Sequence, residues 1–291
     1  MEIIKKSDIL YEDKDFVAVN KPAGLVVHDD GKQMAVLSQP AEVTSAMAKK
    51  TKTAKASKTK VKKEPVLTDW ILKKYPKAAK VGEPIIMTNG TVIERPGIVH
   101  RLDRGTSGVI LIAKNQKSYL SLKEQFKERV VTKKYLAFVY GQFEDKYGTI
   151  NRPIGRSKND FRKWSAQRGA RGEMRDAETW YTVLGSSMGL DDGTGRRSGN
   201  GYTYILVEPK TGRTHQIRVH MKAINHPVIC DSLYAPERPC SLGFGRTALH
   251  AYSLTFNKMN GEAVTVTAPI PTDFKKACKE LGIVIDYTNI T

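Results

Sequence analysis

The chain has 291 residues, 40% of them hydrophobic, enough to bury a core in one large domain or two small ones. Its net charge of +18 favours a polyanion partner, nucleic acid first, over a lysine-biased surface that only aids solubility. The apolar run Val109–Ala113 falls far short of the ~20 residues of a spanning helix, Met1–Lys6 opens no signal peptide, and three scattered cysteines fit a reduced cytosolic protein with neither a disulfide framework nor a zinc motif.

Asp15–His28 predicts a strand, a turn at Lys21-Pro22-Ala23-Gly24 and a second strand, because Phe and β-branched residues flank a proline and a glycine. The stretch from about 38 to 64 is low in complexity, and between Ala41 and Lys63 it holds eight lysines and one glutamate. It cannot bury enough apolar surface to offset its ordering entropy, so a flexible basic insert is expected. Val66–Tyr75 has apolar residues at helical spacing and is closed by Pro76. Residues 81–94 read as a polar loop, and Ser118–Arg129 as a helix with Leu120, Leu122 and Phe126 toward the core. Strands are expected at Lys134–Tyr140, Ala177–Leu184 and Tyr202–Glu208, with a long polar connector before the last. A helix over Arg213–Ala223, entered from the Thr211-Gly212 turn and capped by Thr211 or Thr214, precedes strands at Ala248–Phe256 and Ala263–Thr267. Strands dominate without regular strand–helix alternation, which predicts a single α+β domain on a mixed, largely antiparallel sheet flanked by helices.

The stretch "RPGIVHRLDRGTSGVILIAK" places Asp103 between Arg101 and Arg104, just before a Gly105–Gly108 turn and an apolar strand. A later stretch, "THQIRVH", supplies His215, Arg218 and His220, with His215 and Arg218 three apart on one face of the expected helix. An arginine paired with Asp103 would hold the carboxylate ionised, as a nucleophile requires. A turn aspartate satisfied by neighbouring backbone donors is the plain alternative. A metal centre gathered from His100, Asp103, His215, His220 and His250 is disfavoured by the arginines beside most of these histidines and by the absence of metal-binding spacing.

"GIVHRLDRGTSGVILIAK" resembles the catalytic motif of the RluA family of pseudouridine synthases. "NKPAGLVVH", "KKYLAFVYG", "PKTGRTHQIRVHM", "HPVICDSLYA" and "LHAYSLTF" resemble its other landmarks, in the family's order, from Asn20 to Phe256. The resemblance implies a fold with an RNA-binding cleft and an isomerase that detaches a uridine base from its ribose, rotates it and rejoins it through C5, without cofactor or metal. Asp103 matches the family's catalytic aspartate, taken to attack the uracil ring or the ribose C1′, with an initial glycosidic cleavage favoured. Tyr135 matches the tyrosine that packs on the base and is a candidate for C5 deprotonation; Arg218 matches the arginine paired with the aspartate. Arg101 matches an arginine that reaches into the RNA beside the extruded uridine, and Arg104, Lys134, Arg213 and His215 are expected as further RNA contacts.

Elementary physics supports those roles. A stacked uridine is inaccessible and has to be flipped out at a cost of a few kcal/mol, and an aromatic face returns about 1–3 kcal/mol per base. A planar cation such as Arg101 suits the vacated space. His100 and His215 read as scaffold hydrogen-bonders. One departure is Cys230, where the family usually has glycine before Asp231, which bears on the backbone of that turn. The family's frequent N-terminal S4 domain is not expected, since the "NKPAG" segment begins by Asn20. The expectation is a monomeric, cytoplasmic enzyme acting on ribosomal or transfer RNA; the rival is a catalytically idle RNA-binding or chaperone protein on the same fold.

Overall fold

The computed structural model describes residues 3–28, 64–86, 90, 92–167, 170–187, 201–287 and 290. The lysine-rich insert therefore lies outside the described residues apart from Glu64, as do residues 188–200 of the polar connector. In chain order the elements are β1 (Ile9–Glu12), β2 (Phe16–Lys21), α1 (Leu67–Lys74), β3 (Ile85–Ile86), β4 (Val92–Ile93), β5 (Ser107–Ala113), α2 (Gln116–Lys127), β6 (Thr132–Tyr140), β7 (Tyr147–Asn151), β8 (Ile154–Arg156), β9 (Trp164–Ser165), β10 (Arg171–Arg175), β11 (Glu178–Ser187), β12 (Tyr202–Pro209), α3 (Gln216–Ala223), β13 (Leu249–Asn257), β14 (Ala263–Thr267) and α4 (Thr272–Glu280).

The main sheet runs β1–β2–β5–β13–β6–β12–β11–β7, with β14 added to β13. Its pairs are antiparallel except β5 with β13, so the mixed, largely antiparallel α+β architecture read from the sequence holds. β5 is buried at every position, as its unbroken apolar run demands. On one side of the β5–β13 seam, α1 and α2 pack Leu67, Ile71 and Leu122 against Phe16 and Ile110. On the other, Phe138 stacks on Tyr204 with centroids 4.3 Å apart, and Phe244 and α4's Phe274 complete a second core. Tyr135 on β6 packs against both cores. The seam closes only because residue 108 is glycine: its φ is +111°, and a Cβ there would strike the Ala251 backbone carbonyl.

Several local expectations are corrected. Leu25–His28 forms no second strand, because its carbonyls seat the start of α1: Leu67 N donates to Val26 O at 2.9 Å and Thr68 N to Val27 O at 3.1 Å. Residues 85–93 carry the small β3–β4 pair rather than only loop. Leu120 is half exposed, whereas Leu122 is buried. The turn expected at Gly105–Gly108 instead spans Asp103–Thr106, closed by Thr106 N on Asp103 O, and Ser107 and Gly108 already belong to β5. α3 begins at Gln216, since His215 sits in the left-handed region at φ 56°. Neither threonine caps it; Thr211 Oγ1 donates instead to Gln216 Oε1 at 2.6 Å. Cys230 and Cys240, expected to be unpaired, form a disulfide, because the intervening loop folds back and brings their Cα atoms to 4.4 Å.

Candidate active site

The loop ahead of β5 is fixed from several sides before any ligand arrives. Leu111 N donates to His100 Nε2 at 2.9 Å, and the imidazole stacks on Phe126 of α2. Burial, helped by Lys133 and Arg95, pushes His100 down to about 3, so it is a neutral acceptor here. Lys21, fully buried at the end of β2, donates from Nζ to the carbonyls of Pro22 and Leu25 at 3.0 and 2.8 Å, and at 3.4 Å to that of Arg104. Gly24 N also donates to the Arg104 carbonyl, at 2.7 Å. The Lys-Pro-Ala-Gly turn therefore holds the Asp103 loop through its backbone, a use of the motif that turn propensity alone does not disclose.

Asp103 emerges from this loop onto the floor of a cleft of about 580 Å³. Its carboxylate does not fold back on the turn; Oδ2 accepts a hydrogen bond from Arg218 Nη1 at 2.9 Å. Arg218 reaches it from α3 and is buried. Its other face is gripped by Asp231, which accepts from Nε and Nη2 at 2.7 Å each. Asp231 in turn accepts from Leu233 N and Tyr234 N at 3.0 Å, so the buried carboxylate is satisfied. Burial alone would raise the Asp103 carboxyl; His215, Arg218 and Arg101 outweigh it and hold the group below the ordinary carboxylate value.

His215 lies 3.8 Å from Asp103 Oδ1, and its Nδ1 shares a 2.8 Å hydrogen bond with Tyr234 Oη. Burial lowers its pKa even against the pull of Asp103, so at neutral pH the imidazole is mostly uncharged and Arg218 carries the pairing. Tyr135 lines the same cleft, and burial together with the Asp103 charge pushes its hydroxyl well above the usual phenol value. Arg101 is exposed on the cleft wall, and Arg213 lines it while donating from Nε to Asp176 O at 2.9 Å.

Two sequence-predicted contacts fall elsewhere. Lys134 points to the opposite face of β6 and donates from Nζ to Ile290 O at 2.8 Å, so it is not a cleft residue. Side chains alternate along a strand, and Lys133 shares the Tyr135 face instead. Arg104 turns outward to Glu64 at 2.8 Å, and only its carbonyl serves the loop. The histidines of the metal alternative are not gathered: His220 bonds Thr179 and the Arg152 carbonyl, and His250 bonds Ser107. Sequence reasoning missed Asp231, Tyr234 and Lys133. The first two lie inside "HPVICDSLYA", and the third was legible from the two-residue period of β6.

A loop-borne carboxylate locked by a buried arginine beside an aromatic wall, in a cationic cleft on a mixed sheet, is what the family resemblance implies. Residues 15–223 match the family described as RNA pseudouridylate synthase. The chain belongs to the RluA family of RNA pseudouridine synthases and is an isomerase of uridine in RNA. An RNA pseudouridine synthase of Synechocystis sp. is 32% identical over 270 residues, covering 92% of this chain and 67% of that protein. The ribosomal large subunit pseudouridine synthase D of Neisseria meningitidis serogroup B is 34% identical over 279 residues, 91% of this chain and 59% of that one. In three dimensions, human RNA Pseudouridylate Synthase Domain Containing 1 superposes with a TM-score of 0.59 at 26% identity, covering 91% of this chain and 83% of that one. Among the described residues no helix is long and apolar enough to cross a membrane.

Proposed function

We propose that the chain converts specific uridines of structured RNA, in large-subunit ribosomal RNA or transfer RNA, to pseudouridine as a monomer in the cytoplasm, with Asp103 as nucleophile. The observation that carries this reading is the chain Asp231–Arg218–Asp103, which presents an ionised carboxylate with one oxygen tied down and Oδ1 3.8 Å from the His215 imidazole. The name of the Neisseria relative brings large-subunit ribosomal RNA forward as substrate.

In this mechanism the uridine flips out of its stack and its base lies against Tyr135, while Arg101 occupies the space it leaves. Asp103 attacks C1′, and the C1′–N1 bond breaks with its electron pair staying on the uracil. The base turns, C5 bonds C1′, and the carboxylate departs with the pair it had donated. C5 then loses its proton and N1 gains one, so the reaction balances without an external reactant. Tyr135 enters as a neutral phenol, so on accepting the C5 proton it hands its own to Asp103, whose charge it already feels; Asp103 releases that proton to solvent as N1 takes one up, which restores the carboxylate.

The test is single-nucleotide mapping of pseudouridine in RNA from cells with and without the gene, rescued by wild type or by Asp103→Asn. The expected result is that one or a few sites vanish and only wild type restores them. An unchanged map, or full rescue by Asp103→Asn, would refute the reading and favour a non-catalytic RNA-binding protein.

A further inference from the structure

The charges around the cleft are not balanced evenly. Arg218 is neutralised by Asp103 and Asp231, Lys127 by Glu124, and Lys210 by Glu208. Arg95, Arg101, Arg129, Lys133 and Arg213 also line it, and among the described residues none of them has a carboxylate within 4.0 Å. Arg95 additionally buries an Nε with no hydrogen-bond partner.

Part of this set is organised by two turns. Arg129 and Lys133 flank the α2–β6 turn, and Lys210 and Arg213 flank the β12–α3 turn. Lys133 Nζ ties them together by donating to Thr211 O at 3.2 Å. Burial and the neighbouring charges of Arg129 and Lys210 push the Lys133 amine down to about 8. Arg129 is held in the left-handed region at φ 60°, at the end of α2 where Val130 N donates to Gln125 O at 2.9 Å. Glycine is the favoured residue at such a helix end. An arginine there carries backbone strain, and no ion pair offsets it. Repulsion, strain and missing counterions all raise the energy of the free protein, and an anion between the two turns relieves the repulsion.

We infer that Arg129, Lys133 and Arg213, with the Thr211 turn, form a clamp for an RNA phosphodiester beside the uridine held over Asp103. The inference rests on the RNA reading of the cleft and deepens it. A lysine supplies a compact charge and arginines supply forked donors, the combination that grips phosphate oxygens. Arg129 and Arg213 also line an adjoining hollow of about 370 Å³ with Arg175, Glu173 and Asp176, so the clamp lies between two hollows.

The test uses the full chain and two RNA hairpins with uridine loops, identical except that one carries neutral methylphosphonate linkages in the loop. Wild type is expected to prefer the ordinary hairpin. Arg129→Gly and Lys133→Met should each weaken its binding about tenfold and flatten the log–log salt dependence by about 0.7–0.9. On the methylphosphonate hairpin the variants and wild type should bind alike. Arg129→Gly relieves the left-handed strain and should melt roughly 2–4 °C higher, so its weaker binding has no origin in a damaged fold. Equal losses on both hairpins, wild-type binding by Arg129→Gly, or no preference of wild type for phosphate would each overturn the clamp. Asp103→Asn separates the two readings: it should keep hairpin affinity and salt slope while losing conversion. Retained conversion would remove the proposed chemistry and leave the clamp in place.

Discussion

Arg218 stands between two carboxylates, with Asp231 accepting from its Nε and Nη2 at 2.7 Å and Asp103 from its Nη1 at 2.9 Å. The bidentate side fixes the plane of the guanidinium, and that plane fixes where Nη1 meets the proposed nucleophile. Asp231→Asn leaves only one acceptor oxygen where two are needed and turns an amide NH2 toward the guanidinium, whose remaining carboxylate partner is Asp103. We expect single-turnover pseudouridine formation to fall about 100-fold, by analogy with lost supporting contacts at other sites, and stability to drop by about 1–3 kcal/mol for the buried donor left unsatisfied. A variant that melts lower yet keeps the wild-type rate would show that the orientation of Arg218 does not govern Asp103.

The direction of the Asp103 shift sets a pH dependence. Its folded pKa lies below the unfolded value, so its contribution to stability is present above about pH 4 and is lost as pH falls through the lower folded value. For the reaction, the carboxylate is already ionised across the neutral range, and Asp103 should impose no acid limb between about pH 5 and 8. Arg218→Met removes a permanent, hydrogen-bonded cation and leaves burial opposed only by His215 and Arg101. Its acid limb should then move up by about 1–3 pH units. Single-turnover rates across that range give the answer, and coincident profiles for the two proteins would rule out Arg218 as the source of the shift.

Lys21 has the opposite kind of linkage. Burial pushes its amine down to about 7, with Asp103 pulling it up and Arg246 adding to the fall. A lysine that binds its proton less readily when folded makes folding more favourable as pH rises, here from about 7 to the unfolded value near 10.4. The difference in urea stability between wild type and Lys21→Met should therefore shift in favour of wild type across that interval. A difference independent of pH would mean that Lys21 stays charged among the carbonyls of Pro22, Leu25 and Arg104.

The sequence carried the proposed catalytic trio because its motifs are local: Asp103, Tyr135 and Arg218 each sit in a short run whose neighbours are as informative as the residue itself. The central strands were legible for a related reason, since runs such as Val109–Ala113 are apolar at every position and rich in β-branched residues. What stayed hidden was relational. Asp231 looks like any loop aspartate until α3 brings Arg218 across to it. Lys133 and Lys134 are chemically identical, and only strand alternation distinguishes the cleft face from the Ile290 face. Lys21 reads as half of a turn motif, and its grip on the Arg104 carbonyl depends on a contact 83 residues away. α4 and the exposed β10 were not anticipated, and β10 has no buried residue to set a period.

Cys230 is the point where the sequence departs from the family and the structure gives the departure a physical meaning. Its φ of 57° lies in the left-handed region, where a side chain costs roughly 1–2 kcal/mol relative to glycine. The strained residue immediately precedes Asp231, so the position at which the family usually has glycine is also the one that aims the carboxylate at Arg218. Cys230→Gly should relieve the strain and, compared in a dithiol reductant where neither protein holds the Cys230–Cys240 link, raise the melting temperature by roughly 2–4 °C. Activity should be retained, because Asp231 keeps its backbone donors at Leu233 and Tyr234. A lower melting temperature would show instead that packing of the thiol, whose Sγ lies 3.4 Å from the Phe244 carbonyl oxygen, outweighs the backbone cost.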